Sequence, residues 1–488
     1  MVAIGSVESG SPHIGVGTDC SKARRVDHSA DKGRSIRERR LGDRAEDEAA
    51  EQAAVARLGA DLHHQKAAAA TDRPQGARPA TRQSAADCGK NMEPTDEAGF
   101  ADDKYVVQGK YNNLIHYVTA WTSRQILRRK LRRLITWPPK APTAEGCTAI
   151  IGMCHRLPEV LLGNLRCLAA ARWSGLREII VVVDAAKGAI DIELERRSVE
   201  LCDPLPIRFL YYSPKLAAVS EDLKLPYVFA WLSWSIGIAH SRTRHVLLHD
   251  YDALVLDRSL ERRYQEFTSK SAFIQGVTWY QGNGIKQSDA LATTFEAFVD
   301  AAQLIESTDP IDAFHQIGRI HDRTCDFDIL LKIQHERVAP SKRLRSPMGP
   351  DALVHPAQMI HQYTMARKQP GQANHCYSLP MIPFFGWLSG QRNSLARARE
   401  AFDGRTGRRV HLFGDLAAVN FAWLDRAHVD WLIKQMVQVC VALGEPPFAD
   451  LFAYSEALHR SIEGKEGAIW GGDFTPPQKE WLEKASAL

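Results

Sequence analysis

Four short apolar runs constrain the fold of this chain more than any other feature. They are Thr-Ala-Ile-Ile-Gly-Met-Cys at 148–154, Glu-Ile-Ile-Val-Val-Val-Asp at 178–184, Pro-Ile-Arg-Phe-Leu-Tyr-Tyr at 206–212 and His-Val-Leu-Leu-His at 245–249. Each is short for a helix, so each predicts a strand, and the apolar, β-branched ones predict burial on both faces. Helical patterns lie between them. Residues 158–172 place Val160, Leu161, Leu165 and Leu168 on one side, and 226–240 form an apolar helix that leads directly into the fourth strand. Strands of this kind joined by helices predict an α/β fold with a Rossmann-like, mainly parallel sheet, right-handed crossovers and flanking helices.

The fourth strand ends in Asp250-Tyr251-Asp252. Open α/β sheets bind ligands outside the carboxyl ends of their strands, so the two carboxylates stand where substrates bind. Hard oxygen ligands on a rigid strand end suit Mn2+ or Mg2+, with coordination positions left for the phosphate oxygens of a nucleotide. Asp184 ends the second strand and makes another carboxylate station on the same sheet edge. The first helix N-terminus, near His155 and Arg156, is placed for the base or phosphate end of a nucleotide. Asp184 would accept hydrogen bonds from a uracil or sugar edge, and Asp250 and Asp252 would meet the diphosphate through the metal.

Composition divides the chain. Residues 1–99 contain no Phe, Trp or Tyr and are rich in Ala, Arg, Asp and Glu. Such a segment cannot bury enough apolar surface to offset its ordering entropy, so residues 1–100 are expected to be a disordered extension with one transient helix near 43–58. Met92 stands just before the composition changes and reads as an alternative start. The formal net charge of +4 provides no global attraction for nucleic acid. The longest apolar run, 225–239, is too short for a membrane span and is interrupted by Ser233, Ser235 and Gly237. The N-terminus lacks the apolar core of a secretory signal, and nine cysteines without paired metal spacing predict reduced, buried thiols and a cytoplasmic protein.

Residues 101–142 form a separate segment. An amphipathic helix is expected over 111–137, with Arg124, Arg128, Arg129, Lys130, Arg132 and Arg133 crowded together, ended by a stiff linker containing Pro138, Pro139 and Pro142. The helix either packs on the domain with a solvated basic face or makes peripheral contact with the anionic inner face of a membrane, where lipid-linked acceptors are found.

Residues 148–257 resemble the nucleotide-binding half of GT-A glycosyltransferases of the family-2-like kind. The resemblance rests on the first strand and turn through Glu159, on the second strand with Asp184, and on 239–252 with its Asp-X-Asp. It departs at Ala185-Ala186, where the family often has acid-Gly-Ser, and at Ser233-Trp234, where it often has Arg-Asn. It implies a GT-A-like catalytic domain over 143–427, a nucleotide-sugar donor, a divalent metal, and a glycan, lipid-linked or protein acceptor. An inverting member would use a carboxylate as general base. Asp326 or Asp328, near Asp322 and the apolar run from Ile329, is the candidate, with a helix N-cap as the other reading for either one. His411, in Arg-Val-His-Leu-Phe-Gly at 409–414, resembles the distal histidine ligand of the family's metal; His355, His361 and His375 are substitutes.

Elsewhere, 272–279 reads as a strand, 281–284 as a loop facing the site, 416–425 and 429–443 as helices, and 470 onward as an irregular tail, with 428–488 a C-terminal helical part. Two alternatives remain open. Asp250 could be the nucleophile of a haloacid-dehalogenase-like phosphohydrolase, or the chain could be an inactive sugar-binding relative.

Overall fold

The computed structural model describes residues 114–278, 291–320, 323–346, 352–356, 358–368, 377–404, 409–410, 419–420, 424, 426–462 and 474–488. The expectations for 1–100, the loop 281–284, Asp322, His375, His411 and the start of the tail at 470–473 lie outside the described residues.

The first half runs α1 (Leu114–Leu131), β1 (Ala144–Met153), α2 (Glu159–Ala170), β2 (Leu176–Val183), α3 (Ile192–Cys202), β3 (Ile207–Tyr211), α4 (Pro214–Leu223), α5 (Pro226–His240), β4 (Thr243–His249) and β5 (Leu254–Val255). It continues with α6 (Ser259–Ser269), β6 (Ile274–Thr278), β7 (Ala292–Asp300), α7 (Ala301–Ser307), β8 (Gln316–Ile320), β9 (Arg323–Phe327), α8 (Leu331–Arg337), β10 (Arg343–Arg345), β11 (Leu353–Val354) and α9 (Met359–Lys368). The remainder is α10 (Ile382–Leu388), α11 (Ser394–Asp403), β12 (Arg409–Val410), β13 (Val419–Asn420), α12 (Arg426–Ala442), α13 (Ala449–Ser461) and α14 (Pro476–Ser486).

Seven strands form one sheet in the order β10-β6-β7-β4-β1-β2-β3. β1 is parallel to β2 and β4, and β2 is parallel to β3, while β7 runs antiparallel to both β4 and β6. The mainly parallel sheet anticipated from the strand pattern is therefore present. Its chain path leaves β1 for β2 and β3, then returns to the other side of β1 as β4. That reversal opens a crevice at the carboxyl ends of β1 and β4, where such sheets bind ligands.

Alternation along the strands splits the core into two layers. Ala149, Ile151, Ile179, Val181, Val183 and Leu247 face one, and Ile150, Ile180, Val182, Val246 and Leu248 face the other. The second layer is closed by Trp231, Trp234 and Ile238 of α5 and by Leu127 and Leu131 of α1. Close approach of α5 requires glycine: a Cβ on Gly237 would lie 2.3 Å from Cγ2 of Ile150, and one on Gly152 would lie 2.9 Å from Cβ of Ser233. Ser233 also hydrogen-bonds the buried Tyr212 hydroxyl at 2.9 Å, so Ser233 and Trp234 are core residues here.

The first layer extends through α2 into α10–α14, with Leu388, Leu432, Leu451, Leu458 and Leu482 in one continuous apolar cluster with Leu161 and Leu165. Trp387 stacks on Phe448 at 4.1 Å, and the Trp481 indole donates to the Glu445 carbonyl at 2.9 Å. The six described cysteines are all buried free thiols.

Two expectations are corrected. Val419 and Asn420, placed in a helix over 416–425, pair antiparallel with Val410 and Arg409 as a strand. The Leu-Ala-Ala signal before them is short, and a tertiary partner overrides such a weak helical preference. The tail beyond residue 475 is helix α14, started by a capping box between Thr475 and Gln478 with proline at its first positions.

Candidate metal and nucleotide site

β4 delivers Asp250 and Asp252 to the edge of the crevice, and the turn between them is fixed from three sides. The amide of Asn164, buried on α2, donates to the carbonyls of Asp250 at 3.0 Å, Tyr251 at 3.0 Å and Ala253 at 2.8 Å. The Tyr251 hydroxyl donates to the Leu157 carbonyl at 2.7 Å, and the Asp250 amide donates to the Phe295 carbonyl of β7 at 2.8 Å. Leaving those buried carbonyls without a donor would cost about 1–3 kcal/mol, so the turn is held by Asn164 and cannot relax cheaply.

A third ligand arrives from far along the chain. β5, which follows Asp252 directly, pairs antiparallel with β11, Leu254 opposite Val354 and Val255 opposite Leu353. The Leu256 amide extends the ladder to the Ala352 carbonyl at 2.9 Å. This register returns the next residue, His355, to the two carboxylates: its Nε2 lies 3.4 Å from Oδ2 of Asp250 and 3.4 Å from Oδ1 of Asp252. Phe295 backs the imidazole face to face, with ring centroids 4.5 Å apart and planes 7° from parallel.

The ligand atoms of Asp250, Asp252 and His355 all lie within 4.8 Å of one another, and among the described residues this is the one such cluster of metal-ligating side chains. Octahedral ligands about 2.1 Å from an ion stand about 3 Å apart, so two oxygens and one imidazole nitrogen at these separations fit Mn2+ or Mg2+ with small adjustment. Loss of hydration raises the Asp250 carboxyl to about 6, against the pull of His355, and the charges of Asp252 and Asp328 push the same way. Burial opposes charging of His355, but hydrogen bonds to Asp250 and Asp252 overcome it and lift the ring to about 10. Converging carboxylates in a partly dry corner attract a cation.

The nucleotide-side residues are brought together at the ends of β1 and β2. One oxygen of Asp184 accepts from the His155 amide at 2.8 Å and pairs with His155 Nδ1 at 2.6 Å. Asp184 thus locks the turn after β1. Arg156 binds Glu221 of α4 at 3.3 Å, and Arg367 of α9 binds the same carboxylate at 2.7 Å.

The two candidate bases part company. Asp326 lies within β9, buried, with one oxygen 3.0 Å from Nε2 of His315. Asp328 follows β9, and its charge reaches Asp250. Neither caps α8, whose N-cap is Leu330 at a φ of 65°. The substitute His361 is exposed on α9.

Local motifs do not mark Asn164, Phe295, Glu296 or Arg263. Glu296 stands opposite His249 in the β4–β7 register, and their side chains hydrogen-bond inside the core. Arg263 of α6 donates to the Glu296 carbonyl at 3.2 Å. Thr294 and Glu296, two residues apart on either side of Phe295, are the available signal; both are buried, as is Asp300 at the end of β7.

No protein-family model and no curated protein matches the chain. Similar solved structures include a galactosyltransferase, LgtC, in complex with donor and acceptor sugar analogues, at 12% identity and a TM-score of 0.27, covering 34% of this chain and 62% of that one. S. aureus TarS 1–349 matches at 10% identity and a TM-score of 0.26, covering 66% and 93%. The mannosyltransferase PcManGT from Pyrobaculum calidifontis, in complex with GDP-Man and Mn2+, matches at 14% identity and a TM-score of 0.29, covering 72% and 98%. The chain spans less than two thirds of the length of the galactosyltransferase.

Proposed function

We propose that the chain is a metal-dependent glycosyltransferase that moves a sugar from a nucleotide-diphosphate donor to an acceptor hydroxyl. The observation that carries this reading is the convergence of Asp250, Asp252 and His355 on the crevice beside β4, at the point where the strand order reverses. Asp250, Asp252 and His355 would hold Mn2+ or Mg2+. When bound, the ion supplies electrostatic stabilisation of the departing diphosphate. His155 and Asp184 would orient the nucleoside end of the donor from the ends of β1 and β2.

Asp328 is the better candidate base, because its charge bears on Asp250, whereas Asp326 is buried against His315. A retaining reaction would not need this role.

Calorimetric titration of nucleoside diphosphates into the full chain, with and without Mn2+, tests the reading. Manganese-dependent binding of one of them, lost in Asp252→Ala, is the expected result. Absence of binding both with and without Mn2+ would remove it. Phosphomonoester hydrolysis that disappears in Asp250→Asn would replace it with the phosphohydrolase reading.

A further inference from the structure

Helix α1 carries basic residues of two kinds, on opposite faces. Arg124 lies 4.1 Å over the Tyr227 ring, and Arg128 approaches Asp312 at 3.9 Å and donates to Gln125 at 3.2 Å. Leu127, Leu131 and Ile135 are buried beside them. These residues seat the helix on the domain. Arg129, Lys130 and Arg133 are exposed on the other side, and among the described residues no acidic group pairs with them. Ile115 and Ile126 share that outer face, 67% and 50% exposed. Positions 115, 119, 122, 126 and 129 follow one another in steps of three and four, which lines them up along a single stripe, and Arg133 stands in the turn that follows the helix.

Packing on the domain accounts for the inner face and leaves the outer one unexplained. Water does not favour isoleucines there, and the cations have no partner among the described residues. A bilayer interface accommodates both, since apolar side chains enter the headgroup boundary while long basic side chains reach lipid phosphates. A nucleic acid would engage the cations and leave the isoleucines in water. We infer that the outer face of α1 and the turn after it, formed by Ile115, Ile126, Arg129, Lys130 and Arg133, docks the protein on an anionic lipid bilayer.

The docking helix lies along β8. β8 pairs with β9, and Asp328 follows that hairpin. Docking therefore brings the hairpin towards the lipid surface, where a lipid-borne acceptor would meet it. That link to the acceptor rests on the transferase reading; the docking face does not, and vesicle flotation reads it without turnover.

The experiment is flotation of the full chain with phosphatidylcholine vesicles, with and without phosphatidylglycerol, over a range of salt. Binding is expected only with the anionic lipid and should weaken as salt rises. Triple reversal, Arg129→Glu with Lys130→Glu and Arg133→Glu, should lower partitioning by roughly 100-fold or more, and Ile126→Ser several-fold. Unchanged thermal melts and nucleotide binding would show both variants folded. Equal partitioning to neutral lipid, partitioning to neither, or no loss in the triple variant overturns the inference. So does binding of a single-stranded RNA through the same three residues without vesicle binding.

Discussion

The two ends of strand β4 contain similar polar material arranged to opposite effect. At the N-terminal end, the hydroxyls of Thr148 and Thr243 meet at 2.7 Å, Ser241 donates to the Thr243 carbonyl at 3.1 Å, and Glu178 takes both Nε and Nη2 of Arg208, at 2.8 and 3.1 Å. Arg244 pairs with Asp300 at 2.9 Å. Opposite charges and complementary donors face one another, so this end satisfies itself. At the C-terminal end two carboxylates face the same way, and a histidine fills the gap between them. Polar groups that satisfy one another stabilise a fold, whereas like charges held together by surrounding structure are poised for a ligand.

The largest break in the comparison should come from His355→Ala. Removing one of three metal ligands is expected to weaken Mn2+ binding, followed by calorimetry, by about 10–100-fold or more while the melting temperature holds or falls slightly. Binding unchanged in this variant would shift the third-ligand role to another residue, and His411 would be the first to test.

Asn164→Leu comes next and probes what holds the carboxylates in place. The substitution removes a donor from three carbonyls without touching a carboxylate. It should cost about 1–3 kcal/mol in urea unfolding and about tenfold in Mn2+ affinity. A stability loss with full metal affinity would make Asn164 a packing residue alone.

Glu178→Ala makes the reciprocal case at the other end. Loss of the partly exposed Arg208 pair and of the Thr148 contact should cost about 1–2 kcal/mol, discounted for the solvent around Arg208. Metal and nucleotide affinities should match the parent protein. If they fell with stability, the two ends would be coupled and the division argued above would fail.

The sheet and half of the site were legible because they follow local pattern. Apolar runs gave β1 to β4 within a few residues, α5 spans the same 226–240 that its periodicity marks, and Asp250 and Asp252 sit at a strand end visible in the sequence. β7 is harder to see, since its Thr293, Thr294 and Glu296 acquire meaning only beside β4, where Glu296 faces His249. His355 is harder still. A ladder of two residue pairs carries it to the carboxylates, and no pattern in so short a strand separates it from His361, His375 or His411. The helix at 476–486 was within reach, because Thr-Pro-Pro-Gln is a helix-start signal in its own right.

The smallest expected effect concerns pH and belongs to the N-terminal end. His245 packs edge-on to Phe267 with ring centroids 5.1 Å apart, and its Nδ1 lies 3.0 Å from the Tyr264 hydroxyl. Burial lowers its pKa below the usual 6.5, against the attraction of Asp300. Above 6.5 the ring is neutral in both folded and unfolded chains and imposes no penalty. As the pH falls through 6.5 the unfolded chain takes up a proton that the folded one still resists, so stability is lost on the acid side. His245→Phe removes that linkage. The melting temperature of the parent protein relative to this variant should therefore decline between pH 7 and pH 5, while their metal affinities stay equal to each other at every pH. A constant difference in melting temperature would mean that His245 takes up its proton as readily in the folded chain as in the unfolded one, and a diverging metal affinity would carry the influence of the silent end of β4 through to the charged one.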